Sequence, residues 1–151
     1  MVVNRQRSVA VAVKPLEVFA LQARRALHFS EDAVTVCLVS DVAIARLNRR
    51  YRGKSGPTDV LSFPAKANGG HGRNGARSSR PGGRQESYTG DIAISPAAAR
   101  RNARRYSSSL AEELRVLILH GMLHLAGYDH ETDHGQMERL ERRMRRRLGI
   151  I

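Results

Sequence analysis

The sequence predicts an α+β fold in one domain, 1–151. Three observations lead there: four short segments rich in Val, Ile and Ala, about five stretches with helically spaced apolar residues, and 151 residues with 41% hydrophobic content, enough for one core. Strand-like and helix-like segments alternate in the first half and only helix-like ones fill the last third, which predicts a small mixed four-stranded sheet packed with about five helices.

Residues 8–13 read as the first strand from their Val and Ala content, and Pro15 sits where a helix through Leu16, Phe19, Ala20 and Leu27 begins. Residues 33–40 (AVTVCLVS) form a second strand by their β-branched content, followed by Asp41 as N-cap of a helix that carries Ile44, Leu47 and Asn48 and ends near Tyr51. Residues 58–63 (TDVLSF) and 90–95 (GDIAIS) are the third and fourth strands. Pro96 opens a helix over 97–106. Ser109 and Glu112 then form a capping box ahead of Leu110, Leu114, Leu117, Ile118 and Leu125, and Gly127 suits the left-handed cap that ends this helix. A last helix from about Asp133 to Leu148 sets Met137, Leu140, Met144 and Leu148 on one face. Its arginines, Arg139, Arg142, Arg143, Arg145, Arg146 and Arg147, lie mostly elsewhere, on a face that suits solvent or phosphate.

Between the third and fourth strands, residues 65–89 are dense in Gly, Ser, Asn and Arg and read as a flexible basic loop. Lys66, Arg73, Arg77, Arg80 and Arg84 face only Glu86 there, which fits an arm gripping RNA backbone and equally a solubilising insertion without contacts. The whole chain carries 26 Lys and Arg against 14 Asp and Glu, a net charge of +12 that attracts polyanions. Arginine's planar fork suits phosphate, though an arginine-rich composition also explains the bias. The longest apolar stretch, residues 114–126, is interrupted by Arg115, His120 and His124, so no membrane span is expected. Nothing at the N-terminus resembles a cleavable leader, and Cys37 is the single cysteine; a cytoplasmic protein without a thiolate metal cluster is expected.

The chemistry concentrates in His120-Gly-Met-Leu-His124-Leu-Ala-Gly127-Tyr-Asp-His130. Residues four apart on a helix share a face, so His120 and His124 can present their rings to one ion. Gly127 lets the chain turn sharply and bring His130 back as a third ligand. Three imidazoles leave a fourth tetrahedral position open, as in catalytic rather than structural zinc sites, where the pKa of bound water falls to roughly 7. His28, at a helix end, His71, in the loop, and His134, which opens the last helix, read as structural or solvent-facing. Metzincin proteases share the spacing but carry Glu directly after the first His; here Gly121 stands there and cannot abstract a proton. Asp129 and Glu131 are nearby carboxylates, and Asp129 suits the orientation of a ligand ring from behind better than direct catalysis.

With Leu47-Asn48-Arg49-Arg50-Tyr51-Arg52, Pro57-Thr58-Asp59-Val60-Leu61-Ser62-Phe63-Pro64 and Gly90-Asp91-Ile92-Ala93-Ile94-Ser95, this motif resembles the YbeY family of rRNA maturation endoribonucleases, from about Asp41 to the C-terminus. The resemblance implies a zincin-like fold and one Zn2+ on His120, His124 and His130. It further implies single-strand-specific RNA cleavage in 16S rRNA 3′-end maturation and ribosome quality control. Partners would be ribosomal RNA and the small subunit rather than DNA, with the protein a monomer. It also implies a functional arginine at Arg52, which by position alone is an ordinary helix C-terminal charge, but beside an activated nucleophile can hold a phosphate and offset its developing charge. The loop after Pro64 is longer and more basic than the family pattern. Two other functions fit the residues: a ribosome-associated RNA-binding factor that uses its metal only for stability, and a zinc protease, which Gly121 disfavours. With aromatic content at 5% and no Trp, substrate preference is expected to rest on backbone and shape.

Overall fold

A computed structural model describes residues 1–30, 33–65, 90–129 and 131–150. His130, His71 and the loop arginines Arg73, Arg77, Arg80 and Arg84 lie outside the described residues, as does Lys66. The elements run β1 (Val2–Asn4), α1 (Val13–Ala26), β2 (Val34–Leu38), α2 (Asp41–Arg52), β3 (Val60–Pro64), β4 (Gly90–Ile94), α3 (Pro96–Arg105), α4 (Leu110–Leu125) and α5 (Gln136–Arg147). Four strands and five helices among the described residues give the α+β architecture expected. The sheet is mixed, in the order β1-β2-β4-β3: β1 and β4 pair with β2 in parallel, and β3 pairs with β4 antiparallel at the edge.

The first strand differs from the sequence expectation. Val2–Asn4 pairs with Val36–Leu38, whereas residues 8–12 form no strand. Gln6 is the cause: its buried side-chain amide accepts from the Val9 N–H at 3.0 Å and donates to the Val9 carbonyl at 2.9 Å, giving that backbone a local partner in place of a ladder. The third strand begins two residues later than expected, because Asp59 Oδ1 takes the Val60 N–H at 2.8 Å. The cap of α2 is Ser40, whose side chain accepts from the Ala43 N–H at 3.1 Å, and not Asp41. Asp41 instead meets Arg101 of α3 at 2.8 Å and accepts from Ser95 Oγ at 2.7 Å. The hydrogen-bonded Arg101 guanidinium holds the Asp41 carboxyl below its ordinary range.

Strand periodicity sorts the core onto two faces. Ile92 and Ile94 join the main cluster with Phe19 of α1, Leu114, Ile118 and Met122 of α4 and Met137 of α5. Ala93, between them, joins Ile44 of α2 and Leu61 of β3 in a second cluster. Helix α2 thus covers one face and the histidine helix α4 the other, and both flank the edge strand β3.

Candidate active site

The histidine helix is fixed at both ends by local sequence. Its N-terminus carries the reciprocal Ser109 and Glu112 capping box. At its C-terminus Gly127, at φ 95°, donates to the His124 carbonyl and Tyr128 donates to the Leu123 carbonyl at 3.1 Å, a Schellman turn that only a left-handed residue completes cheaply. In between, His120 and His124 stand one turn apart with their Nε2 atoms 3.1 Å from each other. Two ligands of one tetrahedral zinc at about 2.0–2.1 Å lie about 3.3 Å apart, so this pair fits a shared metal ion. Among the described residues no group of three His, Cys, Asp or Glu gathers as a metal set. The third expected ligand, His130, falls outside them.

Both rings line a cleft of about 650 Å³ bounded by β3, the end of α2 and the turn after α4. Arg52, exposed in the last turn of α2, lines the same cleft from the opposite face of the sheet. It stays there because Gly53, at φ 65°, closes α2 through a bond to the Arg49 carbonyl, and because buried Asn48 donates to the Gly56 carbonyl at 3.0 Å. Residues 72 positions apart in sequence, Arg52 and His124, are thereby brought to one hollow.

Gly121 has a structural reason of its own. A Cβ built there would sit 2.8 Å from Ile92 Cγ2 on the sheet beneath, closer than carbon atoms pack, and its carbonyl accepts from Ser62 Oγ at 3.0 Å. A side chain starting at this position would press first on Ile92 of the sheet. Of the carboxylates around the cleft, Asp59 is tied to the Val60 N–H and, at 3.0 Å, to Asn102 Nδ2. Asp129 accepts from the Glu131 N–H at 3.0 Å and shapes the turn.

Among the described residues, a carboxylate set beside a histidine is Glu141 of α5, with Oε1 3.7 Å from His120 Nδ1 and 3.3 Å from Arg145 Nη2. Burial pushes the Glu141 carboxyl up, but His120 and Arg145 outweigh it and hold the group below its ordinary value. The helical spacing of the last element shows Glu141 one turn after Met137, so its inward position was legible in the sequence; which histidine it meets was not.

Three aromatic rings also line the cleft, Tyr51, Phe63 and Tyr128, out of four Tyr and three Phe in the chain. Tyr51 packs on Phe63 at 5.1 Å in a T-shaped contact, with the Arg50 guanidinium 5.4 Å from its centroid, and remains 58% exposed.

The profile of the family described as endoribonuclease YbeY matches residues 2–149. The chain belongs to this family. Its similarity to the endoribonuclease YbeY of Koribacter versatilis is 40% identity over 150 residues, covering 99% of this chain and 86% of that protein. The endoribonuclease YbeY of Moorella thermoacetica is 48% identical over 105 residues, covering 70% of this chain and 64% of its own. That of Pelotomaculum thermopropionicum is 38% identical over 156 residues, with 99% and 97% covered. Among solved structures, the solution structure of TM1509 from Thermotoga maritima matches with a TM-score of 0.56 at 28% identity, covering 95% of this chain and 85% of that one. In this YbeY-family chain no helix among the described residues is long and apolar enough to cross a membrane.

Proposed function

We propose that this YbeY-family chain is a metal-dependent endoribonuclease that cuts unpaired RNA in the cytoplasm, with the 3′ end of 16S rRNA in the small subunit as its substrate. The single observation that carries this reading is the pair of imidazole nitrogens 3.1 Å apart in a cleft that also holds Arg52. His120, His124 and His130 would hold one zinc ion, which when bound supplies Lewis acidity and activates water near neutral pH. Family membership and the curated relatives described as endoribonuclease YbeY support the reaction class.

The chain's own residues have separable tasks. Arg52 takes a non-bridging phosphate oxygen through its fork and offsets the charge that grows on it. Tyr51, Phe63 and Tyr128 offer ring surface against which an unstacked base can lie, so a low overall aromatic content is compatible with stacking at one place. A base held in a duplex cannot reach these rings. The wider basic surface supplies backbone affinity without sequence preference.

The test is cleavage of precursor rRNA by wild type and Arg52→Glu, with metal analysis of the same preparations. Arg52→Glu should retain the metal and lose cleavage by on the order of 10²–10³-fold, the scale of removing one charge-stabilising contact. Wild-type protein that binds no stoichiometric metal, or Arg52→Glu protein that cleaves normally, would sink the proposal.

A further inference from the structure

We propose that Glu141 is a positioning residue that fixes the tautomer of His120: its carboxylate accepts from Nδ1–H and leaves the Nε2 lone pair directed at the point shared with His124. The consequence for metal binding rests on the proposed function above; the tautomer itself does not.

A neutral imidazole has one N–H and one lone pair, and the partner of one nitrogen decides the role of the other. His120 is bracketed in this way. Its Nε2 lies 3.1 Å from His124 Nε2, while its Nδ1 lies 3.7 Å from Glu141 Oε1. The second distance is in ion-pair range and a few tenths of an ångström beyond hydrogen-bond length, a gap that rotation about the broad terminal torsion of Glu closes.

The placement of the carboxylate argues for a specific task. Glu141 follows Met137 by four residues and precedes Met144 by three, so it occupies the face of α5 that enters the core. Only 15% of its side chain is exposed. A carboxylate there is costly to desolvate and is retained only against donors, of which Arg145 on the same helix is one and His120 on α4 the other. Arg145 is itself 39% exposed and so also reaches solvent, whereas the His120 ring is 22% exposed and its Nδ1 lies on the Glu141 side.

Long-range proton–nitrogen spectra of the metal-free protein at about pH 8.5, above the ordinary imidazole range, read the tautomer directly. Wild type should show His120 as the Nδ1–H form. Glu141→Leu, which suits the apolar face of α5, should shift it to the Nε2–H form, and Glu141→Gln, which keeps an acceptor oxygen, should restore the wild-type signal. In competition with a chromophoric chelator, Glu141→Leu should bind zinc about 10–100-fold more weakly than wild type. An Nε2–H form in the wild type overturns the inference whether or not the Leu variant folds, and so does an unshifted tautomer in a folded Leu variant. If the tautomer behaves as stated but wild type binds no zinc, the metal-dependent function fails while the positioning role of Glu141 stands.

Discussion

Single substitutions test the contacts that shape the cleft, both in its lining and beneath it. Gly121 is the clearest, because the sequence shows only that an expected glutamate is missing, while the structure shows a helix so close to Ile92 that any Cβ at this position would force the isoleucine side chain to shift. Gly121→Ala should lower unfolding free energy by about 1–3 kcal/mol in urea titrations, the usual cost of overpacking, despite alanine's better helix propensity. An unchanged or increased stability would show that α4 can lift from the sheet freely. His120 and His124 were legible from their spacing alone, since one helical turn is a local rule. Arg52 was named through resemblance, and its position in the hollow depends on the caps at Gly53 and Asn48, which place a helix end rather than a side-chain pattern.

The helices add a second tier of control, because each functional side chain is only as well placed as the ends of its element. Ser109 and Glu112 fix the start of α4, so Ser109→Ala should cost about 1 kcal/mol in thermal or chemical unfolding, with the proposed zinc binding of the histidine pair little changed about three to four turns away. Helix α2 is tied to α3 through Asp41, Ser95 and Arg101. Arg101 lowers the Asp41 pKa in the folded state, so this stabilisation is complete above the unfolded carboxylate range and fades as pH falls through the lowered folded value. Melting curves of wild type and Asp41→Asn should therefore differ at pH near 7 and converge in strong acid. A gap that widens on acidification would reverse the assigned sign. The misplaced first strand belongs to this tier as well: residues 8–13 have strand-like composition, but Gln6 provides a nearby partner for the Val9 backbone, while Val2–Asn4 is too short to stand out by pattern.

At the scale of the whole molecule, the main cluster runs from β1 through α1, the sheet and α4 to Ile150 and consists of apolar residues. The fold therefore has its own core, and chelation of the proposed zinc should abolish cleavage while leaving far-ultraviolet circular dichroism unchanged at 25 °C. Unfolding on chelation would mark the metal as structural and favour a non-catalytic RNA-binding role. The amino-acid sequence by itself determined what rests on local periodicity and charge: the α+β class, most helix limits, the histidine pair on one face and a surface suited to polyanions. Only the tertiary structure decided which distant groups come together, namely Arg52 lining one cleft with the histidines, Glu141 behind His120, and Gly121 against Ile92. Spacing along a chain fixes neighbours within a helix or strand, whereas contacts between elements follow from how their apolar faces pack, and that packing is a property of the whole fold.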